Sequence, residues 1–195
     1  MVFPRSAEDV VAVVRVCGEA GVPVTARGGG TSMSGNAVGP GVALDFSRYM
    51  NRILDIDVEA GVALDALRSA TALHGLDFGP DPSSHSRCTL GGMIGNDACG
   101  NRSVRDGRTS GHVVALEIVT ADGVRAVADH AGLHPVDPRD GALVARLEAD
   151  LKRLAGENLA PLRTELGHAL HPAQLLDPNP GAQSTAHLLD RAQLP

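Results

Sequence analysis

The residues best suited to do chemistry in this chain are mostly glycines and small hydroxyl side chains. Arg27-Gly28-Gly29-Gly30-Thr31-Ser32-Met33-Ser34-Gly35-Asn36 directly follows a short apolar run, Val22-Pro23-Val24-Thr25-Ala26. Consecutive glycines let the backbone take positive φ and approach a ligand without a Cβ clash. Successive N–H groups can then converge on an anion, with Thr31, Ser32 and Ser34 adding hydroxyl donors. That chemistry suits a phosphate or pyrophosphate. The Walker pattern fails because Asn36, not Lys-Ser/Thr, follows the glycines. The dinucleotide fingerprint of doubly wound folds also fails, because Met33 stands where its third glycine belongs. Taken alone, the segment is equally readable as a plain glycine-rich turn.

A second segment, Gly79 to Asn101 (GPDPSSHSRCTLGGMIGNDACGN), repeats the chemistry. It pairs glycines at Gly91 and Gly92, adds Gly95 and Gly100, and carries donors at Thr89 and Asn96. Two such loops separated by strands and a helix imply one extended ligand touched by backbone at several points. A dinucleotide meets that demand better than a free anion.

Other chemistries fit less well. Lys+Arg 17 against Asp+Glu 23 gives a net charge of −6, the wrong sign for attracting nucleic-acid phosphates. Lys152 is the only lysine, which excludes a P-loop lysine or a Schiff base elsewhere in these 195 residues. Cys17, Cys88 and Cys99 are too sparse for a disulfide scaffold and too few for a four-thiolate cluster; they fit a reducing, cytoplasmic setting. His85, Cys88 and Cys99 match no zinc spacing, so no metal is expected. Ser84 and His85 are chain neighbours without a third partner, which argues against hydrolase chemistry. No segment approaches 18 apolar residues, so no membrane span is expected. All four aromatics (Phe3, Phe46, Tyr49, Phe78) lie in the first 78 residues; a site built later in the chain must therefore use backbone and small side chains.

The elements that must hold these loops follow from periodicity. Ser6 and Asp9 resemble a capping box ahead of Val10, Val13, Val14 and Cys17, and Gly18 and Gly21 end that helix. Strands are expected at 22–27, 41–46 and 52–57, the last two joined by a turn at 47–51, with a helix over 62–74 and a short one at 93–99. Asp122-Gly123 between apolar runs predicts a hairpin of 112–119 with 124–127. Helices are expected at 140–155 and 157–167, and His130 and His134 in an exposed loop. Residues 168–195 lack periodicity and read as a poorly ordered tail.

The order helix, strand, RGGGTSMSG, then PDPSSHSRCTLGGMIGNDACGN, then VVALEIVTADG resembles the FAD-binding domain of the vanillyl-alcohol-oxidase (PCMH-type) flavoproteins. Within that family it is most similar to the FAD-linked oxidases: D-lactate dehydrogenases, glycolate oxidase and 2-hydroxyglutarate dehydrogenases. The likeness runs from about Val2 to Thr120 and more loosely to Gly167. It implies an α+β fold of two small α/β subdomains, the second incomplete, over residues 1–167. By the same resemblance, Gly28, Gly29, Gly30, Thr31, Ser32 and Gly35, helped by Asn36, wrap the FAD pyrophosphate. Pro80, Asp81, Ser84, Thr89, Gly91, Gly92, Gly95, Asn96 and Gly100 then run along the flavin and ribityl chain. Family members that tether flavin covalently often carry histidine just after the glycines; Thr31 stands there, which implies non-covalent FAD. The implied function is the flavin portion of an oxidoreductase acting on a D-2-hydroxy acid.

The chain also departs from the family pattern. A strand is missing between Asp57 and Gly61, the strands expected before Phe3 are missing or cut short, and neither a later Gly-Ser-Glu-Gly segment nor a substrate domain is visible. No catalytic residue is therefore carried over. A shortened, non-catalytic copy and a flavin subunit completed by a partner chain stand as alternative readings.

Overall fold

A computed structural model describes residues 1–54 and 57–166. The expected tail, 168–195, lies outside the described residues. The fold is α+β, and the chain divides into two compact units. Among the described residues, one comprises 1–109 with 121–123; the other comprises 110–120 and 124–166.

In the first unit, helix α1 (Ala7–Glu19) begins where Ser6 Oγ accepts the Asp9 N–H at 3.4 Å and Asp9 Oδ2 accepts the Arg5 N–H at 2.8 Å. Val10 and Cys17 supply its buried face. The chain then turns at Gly21 (φ +64°) into strand β1 (Val24–Arg27). β1 pairs in parallel with β2 (Val42–Asp45), register Val24↔Val42 to Arg27↔Asp45. Parallel neighbours require a long return connection. Residues 28–41 make it, so the first glycine loop leaves from the C-terminal end of β1. Val2 bridges the other side of β2.

The single strand expected at 52–57 is instead two short ones. β3 (Ile53–Leu54) and β4 (Asp57–Val58) pair antiparallel with each other, fastened by Arg52, whose guanidinium meets Glu59 Oε1 at 2.6 Å. Helix α2 (Leu64–Ala72) follows, then α3 (Leu90–Gly95) and the single turn α4 (Ser103–Asp106). Leu64, Cys88 and Met93 are buried together, with Phe78, Leu90 and Ala98 packed against them. This cluster anchors the second glycine-rich segment to α2.

In the second unit, β5 (Ala115–Val119) and β6 (Arg125–Asp129) form the expected hairpin, Val119 opposite Arg125. A third strand, β7 (Gly132–Pro135), was not expected. Asp129 Oδ1 accepts the N–H groups of Ala131 (2.7 Å) and Gly132 (3.2 Å), so an aspartate turn reverses the chain. His134 therefore lies on a strand, its Nε2 3.1 Å from Asp129 Oδ1, rather than in a loop. The two helices expected after Pro138 are one, α5 (Gly141–Leu166). Gly156 does not break it, because the Arg153–Glu157 pair at 2.9 Å spans that position and Lys152–Glu148 at 2.8 Å supports the turn before. Val124, Ala126 and Val144 form this unit's core with Ile118 and Leu133.

Candidate functional site

The two glycine loops, distant in sequence, are packed against each other. A Cβ on Gly28 would lie 1.8 Å from Thr89 Oγ1, and one on Gly29 would lie 1.9 Å from the Arg87 carbonyl oxygen. Glycine is needed here because the loops touch, a reason distinct from ligand approach. Farther along, Asn36 Nδ2 donates to Asn96 Oδ1 at 2.9 Å, and Asn96 Nδ2 donates to the Gly92 carbonyl at 2.8 Å.

The first loop is rich in unused donors. Among the described residues, no acceptor meets the backbone N–H groups of residues 28–34. Gly30 and Gly35 sit at φ +67° and +78°. Thr31 and Ser32 are half-buried, whereas Gly29, Gly30, Ser34, Gly35 and Asn36 are exposed. No carboxylate occurs between Gly28 and Gly41. Backbone donors left unpaired call for water or a ligand acceptor. A surface offering donors, hydroxyls and no competing anion fits the pyrophosphate of a dinucleotide. Arg27 fixes the loop's base: its Nε faces Asp45 Oδ2 at 3.3 Å, an ion pair without hydrogen-bond alignment, and its Nη1 donates to the Ala37 carbonyl at 3.4 Å.

The second loop spends its donors within itself and on the neighbouring residues 60–62. The Arg87 and Cys88 N–H groups bond the Ser84 carbonyl, both at 2.8 Å. Leu90 donates to Val62 at 3.0 Å and Gly91 to Ala60 at 2.9 Å. Pro80 and Thr89 are buried. A Cβ on Gly91 would crowd Ala60 (2.8 Å), and one on Gly100 the Asp81 carbonyl (1.9 Å). These residues shape the loop, while Gly92, Gly95 and Asn96 remain on its exposed face. Arg68 of α2 organises the loop's entry: Nη1 bonds Asp81 Oδ1 at 2.8 Å, and Nη2 reaches the carbonyls of Phe78 (3.2 Å) and Pro80 (3.3 Å). That hydrogen bond from Arg68 holds the Asp81 carboxyl below the usual range. Arg102 adds a bond to Asp77 at 2.6 Å.

Burial pushes the Cys88 thiol up, as befits a packing residue. His85 is paired with Asp65 at 2.8 Å, and among the described residues no group of three His, Cys, Asp or Glu side chains is placed to hold a metal ion. The sequence reading did not single out Arg68 or Arg87. Their roles depend on partners brought close by folding, and no local pattern marks them.

With this geometry in hand, comparison with known proteins defines the class. The FAD binding domain family matches residues 1–128, and the chain belongs to that family; its cofactor is FAD. Among curated relatives, D-2-hydroxyglutarate dehydrogenase of Pantoea ananatis is 43% identical over 133 residues, covering 63% of this chain and 13% of that protein. Glycolate oxidase subunit GlcD of Escherichia coli is 37% identical over 132 residues, 63% of this chain and 26% of its own length. D-lactate dehydrogenase of Archaeoglobus fulgidus is 37% identical over 130 residues, 63% and 29% respectively. The chain thus spans less than a third of each of these relatives. The structure of 6-hydroxy-D-nicotine oxidase from Arthrobacter nicotinovorans superposes with a TM-score of 0.58 at 27% identity, covering 65% of this chain and 29% of the other. Among the described residues, no helix is long and apolar enough to cross a membrane.

Proposed function

We propose that this chain is the FAD-binding portion of an oxidoreductase that acts on a D-2-hydroxy acid of the lactate, glycolate or 2-hydroxyglutarate type. The observation that carries the cofactor half of this reading is the run of unpaired N–H groups at residues 28–34, held against the second loop by glycine contacts. The names of the matched dehydrogenases and oxidase support the substrate class.

In this reading Gly28, Gly29, Gly30, Thr31, Ser32 and Gly35 embrace the pyrophosphate, with Asn36 closing the far end. Gly92, Gly95 and Asn96 line the path of the ribityl and flavin portion. Pro80, Asp81, Ser84, Thr89, Gly91 and Gly100 keep that path in shape. Residues 1–167 act as the domain, and Thr31 leaves the cofactor non-covalent. Bound FAD would supply the hydride-accepting chemistry, while the chain binds and orients it. No residue of this chain is assigned to the substrate. Free Cys17, Cys88 and Cys99 support a reducing, cytoplasmic setting.

The test is purification of the chain in the presence of FAD, followed by desalting. Retained flavin absorbance that acid precipitation releases into the supernatant supports a non-covalent site. A protein that stays folded by circular dichroism yet retains and titrates no FAD would sink the reading. Bleaching of bound flavin under anaerobic D-lactate, glycolate or D-2-hydroxyglutarate identifies the substrate.

A further inference from the structure

Arg87 lies at the junction of the two loops. Its carbonyl oxygen is the atom a Gly29 Cβ would strike, so its Cα springs from the wall against which the donor-rich loop rests. The residue is exposed. Among the arginines whose side chains are described, most are bound to carboxylates or carbonyls, and Arg5 and Arg48 stack on aromatic rings. Arg87 and Arg146 have neither kind of partner among the described residues, and Arg146 lies on α5 in the other unit. Among the described residues, Arg87 is therefore an uncommitted guanidinium beside a loop that presents N–H donors without a positive side chain of its own. Arg27, the nearest cation in sequence, is already paired with Asp45.

We propose that Arg87 is the cationic counterpart of the cofactor's pyrophosphate, its planar guanidinium closing over the anion held by the N–H groups of residues 28–34. A guanidinium suits this task because its forked donors match phosphate oxygens and its charge persists at every physiological pH. The assignment rests on the FAD reading above and adds a side chain that neither glycine motif contains.

The experiment measures FAD and ADP dissociation constants for the full chain, Arg87→Gln and Arg87→Lys over a series of salt concentrations. The Gln variant is expected to melt at the wild-type temperature, since no bond among the described residues is lost. It should weaken both ligands by a similar factor, about tenfold at low salt, as loss of a charged hydrogen bond implies. Its affinity should also depend less on ionic strength than the wild type's, and Arg87→Lys should recover part of the loss. FAD affinity within about twofold of wild type in the Gln variant would overturn the assignment while leaving the FAD reading intact. So would a loss confined to FAD and absent for ADP, or one insensitive to salt and unrescued by lysine. A folded wild-type chain that binds neither ligand would overturn the FAD reading itself, and the assignment with it.

Discussion

Asn36 and Asn96, sixty positions apart, share a hydrogen bond of 2.9 Å from Nδ2 to Oδ1. It ties the tip of the first glycine loop to the end of α3, beyond the backbone contacts of Gly28 and Gly29. The site is therefore a junction of two loops, and its shape depends on both being in place before any ligand arrives.

The bond is measurable by a double-mutant cycle of Asn36→Ala and Asn96→Ala. Both residues are exposed, so its coupling energy should fall near the low end for hydrogen bonds, about 0.5 kcal/mol. FAD titration of the four proteins should show each single change weakening binding and the double change costing less than their sum. Strict additivity would mean that the two loops are not coupled through this pair.

Arg68 is the second-loop clamp. Arg68→Met removes the donors to the Phe78 and Pro80 carbonyls and takes from Asp81 its 2.8 Å hydrogen bond, leaving it only the longer 3.9 Å pair with Arg102. Losing charged hydrogen bonds of this kind costs about 1.5–3 kcal/mol. The variant should melt earlier and bind FAD more weakly, and Arg68→Lys should recover only part because an ammonium lacks the fork. Unchanged melting and FAD titration curves would remove Arg68 from the account.

Acid stability follows from the same pairs. Arg52's hydrogen bond lowers the Glu59 carboxyl, Arg68's lowers Asp81, and Arg139's brings Asp137 down to about 2. A carboxyl depressed by folding contributes stability fully above its unfolded value and loses it as pH falls through the folded one. Melting temperature should therefore be flat from about pH 7 to about pH 5 and decline below about pH 4. Solvent screening, strongest at the exposed Arg139–Asp137 pair, keeps the decline shallow, and high salt should flatten it further. A maximum near pH 3 would contradict the assignments.

How much of this was legible beforehand depends on the range of the interaction. The capped start of α1, the glycine loop leaving β1 and the hairpin turn at Asp122-Gly123 are encoded by near neighbours, and all stand in the sequence; the hairpin's first strand starts at Ala115 rather than 112, because Thr109–His112 form a 3-10 turn. The pairing of β3 with β4 and the strand β7 were hidden, because each is too short for a clear alternation. The continuity of α5 was hidden by Gly156, which punctuates a sequence but does not break a helix supported by pairs across it. Least legible was why Gly28 and Gly29 must be glycine. The sequence suggests room for a ligand; the structure shows Thr89 and Arg87 in contact with them.

The three thiols should differ in reactivity. Cys17 and Cys88 are 5% and 6% exposed, and burial raises the Cys88 thiol further from its thiolate; Cys99 is exposed. A chromogenic thiol reagent should titrate one group rapidly in the native chain and the other two only on unfolding. Cys99→Ser should abolish the fast phase, and its persistence would mean that Cys17 or Cys88 is open to solvent.

The contrast between Gly29 and Gly95 separates the two reasons a loop can require glycine. A Cβ on Gly29 meets the Arg87 carbonyl oxygen at 1.9 Å and its carbon at 2.9 Å, both backbone atoms that cannot rotate away. Gly29→Ala must push the loops apart, at a cost of the order of 1–3 kcal/mol typical of overpacking, and it should lower both the melting temperature of the free chain and its FAD affinity. Gly95 is exposed, lies in the last position of α3, and has nothing within 4 Å of its Cβ position. Gly95→Ala should leave the free chain as stable or raise its stability by up to about 1 kcal/mol, since alanine is the better helix former. If the cofactor runs along this face, that same methyl group obstructs it, and FAD affinity should fall while stability does not. Melting curves of both variants with and without FAD decide the matter. A Gly95→Ala chain with unimpaired FAD binding would move the cofactor's path off α3, and a Gly29→Ala chain of full stability would show that the loops can separate without loss.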